Sequence, residues 1–407
     1  MCADLSPDDS NREFHYERLR CIHMTIGFAA VERQVQALSK ERRYAEAEAL
    51  VRPLVATGTA PLAVWRMLVP LLRRQGRIAE TRRIQEMLVE TEPGHLATRF
   101  ELAETLLLQG EFTRGWREYR YRYSLPHTTR IERKVQRPRW DGQPIRGKTL
   151  LIHDEQGFGD TFQFLRMIPW ARERSGARVV LQINAEQLPF AERAGGFDEI
   201  LPRGALPPPF DLHCEMMSLP MAMNLQLADL PGKMPYLTPD PARVEHWRKR
   251  LAPLPGPRVA LFWSGRPTHF NDAARSMSLA DLAPLAIPGI TFLSMQKGDK
   301  AAQAHQPPPG MTLVPIADET KDFEDTAAIL SLADLLISVD SSPVHLAGAM
   351  GRPVWVMLSF EHDWRWLQNR SDSPWYPNTR LFRQEAPHDW RGVMATIAGE
   401  LTKLKPG

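Results

Sequence analysis

The 407-residue sequence predicts an all-α N-terminal part of repeated helical hairpins, followed by an α/β part of two Rossmann-like lobes with a cleft between them. Three observations predict this. A 34-residue period, from Gly76 to Gly110, runs through the first third. Short apolar, strand-like runs alternate with helical stretches through the rest, as parallel sheets with right-handed crossovers require. That alternation comes in two series, split near residues 240–257. The expected organisation is a tail over 1–27, repeats over 28–125 and a linker over 126–145. A first lobe then covers 146–245, and a second lobe with a C-terminal helix covers 246–407.

The repeat is visible residue by residue. Gln75-Gly76-Arg77-Ile78 recurs as Gln109-Gly110-Glu111-Phe112, and Arg43-Tyr44-Ala45-Glu46 aligns with Arg77-Ile78-Ala79-Glu80. Leu38, Leu72 and Leu106 fall in register, as do Tyr44, Ile78 and Phe112. Glycine at 76 and 110 supplies the turn after each first helix. Paired amphipathic helices at this period resemble tetratricopeptide repeats, and three tiers are near the minimum for a self-supporting stack. The last helix carries Phe112, Trp116, Tyr119 and Tyr123 at helical spacing. This stripe is either a peptide-binding surface or, as we favour, the face that packs onto the next domain.

Composition narrows the classes. The chain is 43% hydrophobic and 24% charged, a globular balance. The net charge of +3 is spread along an Arg-rich chain, which does not point to nucleic acid but suits a cleft for a phosphate-bearing ligand. No apolar run reaches the ~20 residues that span a bilayer, and Met1 to Arg12 has no signal-peptide core. Cys2, Cys21 and Cys214 have neither metal-like spacing nor the number for a disulfide framework. A cytoplasmic location is expected.

The first series of strands is expected at Thr149–Ile152, Val179–Ile183, Glu199–Leu201 and Phe210–His213. The second is expected at Val259–Trp263, Ile290–Met295, Thr312–Val314, Leu335–Val339 and Val354–Leu358. Ligands of such sheets sit beyond the carboxyl ends of the strands, which is where the candidate motifs fall. After the first strand comes His153-Asp154-Glu155-Gln156-Gly157-Phe158-Gly159-Asp160. Gly157 and Gly159 free the backbone of this loop, which includes Gln156, and Asp160 stands at the start of a helix expected over Thr161–Arg174. This is not the full dinucleotide fingerprint. Asp160 reads equally as a helix N-cap, worth roughly 1 kcal/mol, or as a catalyst.

The second motif is Ser338-Val339-Asp340-Ser341-Ser342-Pro343-Val344-His345. A strand ends at Asp340, and Pro343 suits the first turn of a helix. Free N–H groups there, with the hydroxyls of Ser341 and Ser342 and the ring of His345, make a diphosphate cradle. The third group is cationic: Trp263-Ser264-Gly265-Arg266 after one strand, Arg275 in the loop beyond, and Gln296-Lys297-Gly298 after the next. Arg266, Arg275 and Lys297 are placed to neutralise a leaving diphosphate without a metal. The tryptophan-rich tail around Asp363-Trp364-Arg365-Trp366, Trp375-Tyr376-Pro377 and Asp389-Trp390 reads as packing rather than as a base-stacking platform.

From Trp140 to Leu401 these residues resemble the bacterial repeat-linked glycosyltransferases related to glycosyltransferase family 9, the ADP-heptosyltransferase family. The resemblance lies in LLIHDEQGFGDTFQFLR, EMMSLP, FWSG, RSMSL, SMQKG, SVDSSPVHLAGAMGRPVWVML, DWRW and SPWYP, in that order. Repeats followed by a transferase are also similar to the layout of O-GlcNAc transferase and of flagellin-modifying transferases. The resemblance implies a GT-B fold, inversion at the anomeric carbon, no metal and no cofactor beyond a nucleotide-sugar donor. It implies Asp160 as the base, and Asp340, Ser341, Ser342 and His345 as donor-diphosphate residues. Lys297 and Arg275 would assist departure, with Trp263, Gly265 and Gln296 on the same donor side. Ser341-Ser342 replaces the family's Thr-Gly, and the lipid-acceptor region is not recognisable, so heptose and lipopolysaccharide do not follow.

The expected function is sugar transfer from a nucleotide-diphosphate donor to a protein or glycan acceptor that the repeats help capture. The alternatives are a catalytically inactive repeat adaptor with a nucleotide-sugar-binding domain, and a nucleotide-sugar epimerase, which would release a changed sugar nucleotide.

Overall fold

The computed structural model describes residues 28–56, 58–129, 132–269 and 271–404. The expected tail, with Cys2 and Cys21, lies outside them. The chain divides into two compact units, Met1–Arg99 and Phe100–Gly407.

The first unit is helical: α1 (residues 28–40), α2 (Tyr44–Ala56), α3 (Leu62–Arg74), α4 (Ile78–Thr91) and the start of α5 (Leu96–Leu108). Its core gathers Val35, Ala47, Val51, Leu68, Leu72 and Leu88, the apolar stripes of successive helices. The sequence period is also a period of backbone geometry. Leu38, Leu72 and Leu106 each accept a hydrogen bond from the N–H five residues on, at Arg43, Arg77 and Glu111 (2.9, 3.0 and 2.9 Å). This is the outer bond of a Schellman helix end. The left-handed residue it needs is Gly76 (φ 72°), Gly110 (φ 83°) and, one period earlier, Arg42 (φ 62°). An arginine in the glycine position is why the first tier is faint in the sequence. Glu48, nearly buried, accepts from Arg52, Gln75 and Arg77.

The second unit begins with the rest of α5 and with α6 (Phe112–Tyr119) and the short α7 (Pro126–Thr129). The aromatic stripe of α6 is buried in its own unit. Phe112 meets Trp375 (6.3 Å between ring centroids), and Trp116 and Tyr119 both pack edge-on against Trp364 (5.1 and 6.0 Å). The segment expected as a linker is ordered further on. Trp140 is buried, its N–H donates to His213 O at 2.7 Å, and His213 N donates to Pro138 O at 3.1 Å.

The first sheet contains β1 (Thr149–His153), β2 (Arg178–Ile183), β3 (Glu199–Pro202) and β4 (Leu212–Glu215), in the order β3-β2-β1-β4. All pairs are parallel. Between β1 and β2 the expected single helix is broken into α8 (Phe158–Phe164), a 3₁₀ turn (Leu165–Met167) and α9 (Ile168–Ser175). Pro169, at the first turn of α9, has no N–H to continue α8. Two short helices complete this lobe, α10 (Leu188–Ala194) and α11 (Leu219–Met223).

Past α12 (Pro241–Leu251), whose N-cap Asp240 accepts from Arg243 N at 2.9 Å, the second sheet begins. It contains β5 (Arg258–Phe262), β6 (Thr291–Ser294), β7 (Thr312–Pro315), β8 (Leu335–Val339), β9 (Val354–Leu358) and β10 (Thr379–Arg383). The order is β10-β9-β8-β5-β6-β7, again all parallel. The helical turns are α13 (Asp272–Arg275), α14 (Phe323–Leu332), α15 (Ser342–Ala349) and α16 (Trp390–Leu401). The core under this sheet holds Val259, Leu261, Phe292, Ile337 and Ile397. Nine strands fall where expected; β10, behind the tryptophan-rich tail, was not anticipated. Among the described residues no helix is long and apolar enough to cross a membrane.

Candidate functional site

The site forms where the carboxyl end of β1 in one lobe faces the carboxyl end of β8 in the other. Both strands are followed at once by a helix, α8 and α15, and the two helix starts touch. Gly159 makes this possible: a Cβ there would lie 2.8 Å from His345 Cδ2 and 3.4 Å from Ser342 Cα. Gly157 is the N-cap of α8, so the helix starts three residues earlier than expected and Asp160 sits within the first turn, not at the cap. Asp160 Oδ2 accepts from Gly157 N at 2.9 Å, the carboxylate half of a capping box.

The other oxygen of Asp160 is bound by Arg365 Nη2. Arg365 also donates to Asp363 Oδ1 (2.9 Å) and Gln163 Oε1 (2.7 Å), and lies over the Trp364 ring at 4.3 Å. Burial raises the Asp160 carboxyl above its ordinary value; Arg365 and the Gly157 N–H oppose it. Asp340 is held up at about 6 by burial and by Asp363, against Arg275. Asp363 goes the other way, because Arg365 outweighs the burial that would raise it.

His345 is buried, bonded through Nδ1 to Tyr376 Oη (2.9 Å) and stacked on Trp366 (5.6 Å, 20°). Burial, and then Arg365, push it down to about 3, so its ring is neutral at physiological pH. Its Nε2 is 4.0 Å from Asp340 Oδ1. Ser341 is the N-cap of α15, with its Oγ 3.1 Å from Ser338 Oγ, and Ser342 opens the helix. Arg275 reaches the same strand end, donating from Nη1 to Asp340 O at 2.7 Å. Gly265 leaves it room, since a Cβ there would collide with the guanidinium.

The structure therefore brings Gly157, Gly159, Asp160, Arg275, Asp340, Ser342 and His345 to one place. Others expected on the donor side hold the framework instead. Trp263 lies in the second-lobe core and bonds Gln303 through Nε1 (2.9 Å). Gln296 Oε1 accepts from Trp263 N and Ser264 N (3.0 and 2.9 Å), fixing the exit of β5. Lys297 is exposed and donates to Thr320 O at 2.7 Å, and Arg266 is exposed. The Gln156 carbonyl accepts from Arg203 at 3.2 Å. Sequence reasoning missed Arg365, Asp363 and Tyr376 as site residues. The available signal was an acid and a base, Asp363 and Arg365, interleaved with tryptophans that must be buried.

One group of metal-ligand types stands apart from this cleft. His153, His213 and Glu215 are buried with their ligand atoms within 4.8 Å of one another. His153 Nε2 lies 3.1 Å from His213 Nδ1. Glu215, however, is already bound by Arg139 Nε (2.8 Å) and Nη2 and by Ser218 Oγ (3.1 Å), with Arg122 at 3.9 Å. A cation there would compete with two guanidinium groups, so the cluster is a neutralised hydrogen-bonded unit.

Residues 288–358 match the family model described as glycosyltransferase family 9 (heptosyltransferase). This stretch of the C-terminal part is similar to glycosyltransferase family 9. The matched segment runs from β6 to β9 and contains Lys297, Asp340, Ser341, Ser342 and His345. Protein FlbA of Caulobacter vibrioides is 29% identical over 326 residues, covering 74% of this chain and 54% of its own length. The chain thus spans about half the length of that curated relative. Among solved structures, a glycosyl transferase family 9 protein from Veillonella parvula aligns at 10% identity and TM-score 0.46, over 65% of this chain and 97% of its own. ADP-heptose lps heptosyltransferase II of E. coli aligns at 12% identity and TM-score 0.44, over 63% and 99%.

Proposed function

We propose that this protein is an inverting, metal-independent glycosyltransferase that moves a sugar from a nucleotide-diphosphate donor to a hydroxyl of a protein or glycan acceptor. The observation that carries this reading is the meeting of the α8 start, which bears Asp160, with the α15 start across the cleft, at the carboxyl ends of two parallel strands. The family match over the α15 side supports a nucleotide-sugar donor. In this reading Asp160 takes the acceptor hydroxyl proton as that oxygen bonds to the anomeric carbon. The bond from that carbon to the diphosphate oxygen breaks with its electron pair, and the nucleoside diphosphate leaves. The α15 N-terminus, Ser341, Ser342 and Arg275 receive the leaving charge. His345, neutral and fixed by Tyr376, serves as a hydrogen-bond partner rather than a charge. The N-terminal hairpins, read as tetratricopeptide-like, recruit the acceptor, and no cofactor beyond the donor is required.

The test is calorimetric titration of the full chain with UDP-, GDP-, ADP- and CMP-sugars, with Asp340→Ala as control, followed by turnover with Asp160→Ala. Saturable binding of one donor, weakened by Asp340→Ala, and turnover abolished by Asp160→Ala are the expected results. No binding of any donor would favour an adaptor with an idle cleft, and full turnover by Asp160→Ala would remove the assigned base.

A further inference from the structure

Arg365 comes from the β9–β10 connection of the second lobe, yet two of its acceptors, Asp160 and Gln163, lie on α8 of the first. Each of its three guanidinium nitrogens already donates to a protein acceptor. The side chain is only 8% exposed, and the Trp364 ring covers one face of the guanidinium. The surrounding backbone is pinned as well. Arg365 N donates to Asp363 Oδ1 at 2.9 Å, and Arg365 O accepts from Trp375 Nε1 at 2.8 Å. An arginine kept to hold donor phosphate would present free N–H groups to the cleft. This one directs four of its five N–H groups to Asp160, Asp363, Gln163 and the Met217 sulfur (3.8 Å), and a planar fork held at several points fixes a carboxylate as a point-charge lysine cannot.

We propose that Arg365 is the positioning residue of the Asp160 base: it fixes Oδ1 while Gly157 N–H fixes Oδ2, and it sets a positive charge against the buried carboxyl. The proposal rests on the reading of Asp160 as the base. The charged and titratable groups around Asp160 are Arg365 and Asp363 from the β9–β10 connection, Glu155 from its own loop and His345 from α15. Of these, Arg365 is the largest influence favouring ionisation, while burial and Asp363 oppose it. Removing the guanidinium therefore raises the carboxyl further, and the acid limb of any rate that needs ionised Asp160 moves to higher pH.

The experiment uses the full chain with Arg365→Gln and Arg365→Lys. The first readout needs no turnover: the Asp160 carboxyl ¹³C resonance, assigned by its loss in Asp160→Asn, is followed against pH. Arg365→Gln should move its midpoint up by about one pH unit or more. Arg365→Lys should leave it within about half a unit of wild type, because the charge stays. The second readout is kinetic. Arg365→Gln should shift the acid limb of kcat by the same interval and lower kcat at neutral pH by about tenfold or more, with donor KM little changed. Arg365→Lys should keep the limb but lose rate, because the geometry is lost. An unmoved midpoint in folded Arg365→Gln overturns the proposal. So does a donor KM that rises as far as kcat falls, which would make Arg365 a phosphate ligand. If Arg365→Gln does not fold, a wild-type kcat in Arg365→Lys overturns it on its own. Lack of transfer by the wild type would count against the proposed function alone, since the ¹³C titration still decides what Arg365 does.

Discussion

Asp340→Asn should make the protein more stable, and only above a defined pH. Asp340 ends β8 with its side chain 19% exposed, and burial and Asp363 raise its carboxyl from an ordinary 3.8 to about 6. The folded protein thus holds this proton more tightly than the unfolded chain. The resulting stability is fully present below pH 3.8 and is lost as pH rises through about 6. Above that, folding must bury an ionised carboxylate. The difference of about two pKa units corresponds to about 3 kcal/mol. An amide of the same shape carries no such charge, so the variant should gain about that amount at pH 8 and nearly nothing at pH 4. Urea unfolding at both pH values, followed by tryptophan fluorescence, measures this directly, because all of the 11 tryptophans except Trp65 lie within Phe100–Gly407. A loss at pH 8 would show that the attraction of Arg275 exceeds the cost of burial, and a gain independent of pH would show that folding does not change the titration of this carboxyl; either would refute the argument.

Two further substitutions probe the packing around the cleft. Gly159→Ala should cost about 1–3 kcal/mol and weaken donor binding, since its methyl group would drive α8 and α15 apart. Urea unfolding and donor calorimetry check it, and no change in either would deny the close approach. Trp116→Ala should cost about 3–5 kcal/mol, because Trp116 is 1% exposed and packs edge-on against Trp364. A loss below about 1 kcal/mol in the same assay would mean that α6 is not part of the core it adjoins.

Period and alternation made most of the fold legible, because both are set by burial. Leu38, Leu72 and Leu106 recur because each ends a helix in the same way, and the nine anticipated strands are apolar runs between helices. The signal weakened where burial is one-sided. β10 lies at the sheet edge, exposes Arg380 and directly follows Trp375, Tyr376 and Pro377, so it reads as a continuation of an irregular tail. Helix starts were misjudged for another reason. Asp160 looks like a cap, but Gly157 supplies the extended backbone before the helix, and the aspartate binds back to it from the first turn. Of the cations, Arg275 and Lys297 stood out because each follows a strand. Arg365, set in an irregular segment rich in tryptophan, acts through its contacts with Asp160, Asp363 and Gln163, and contacts across 205 residues leave no local pattern.

The division of labour between the lobes bears on how the chemistry should be assigned. The segment matched to family 9, residues 288–358, supplies the α15 start and the strand ends around it. It begins after Asp160 and Arg275 and stops before Arg365 and Tyr376. In the proposed function, what the family pattern captures is the place for the donor diphosphate. Whether that place becomes a reaction centre depends on residues outside it: a carboxylate brought by α8, the glycine that lets α8 approach, and an arginine that reaches back from beyond β9 to orient the carboxylate. Each is satisfied chiefly by the opposite lobe. Asp160 without Arg365 is a buried carboxyl that favours its proton, and Arg365 without Asp160 is a buried charge short of one partner. An idle nucleotide-binding cleft has no need to bury such a mutually dependent pair, whereas the base of the proposed function does.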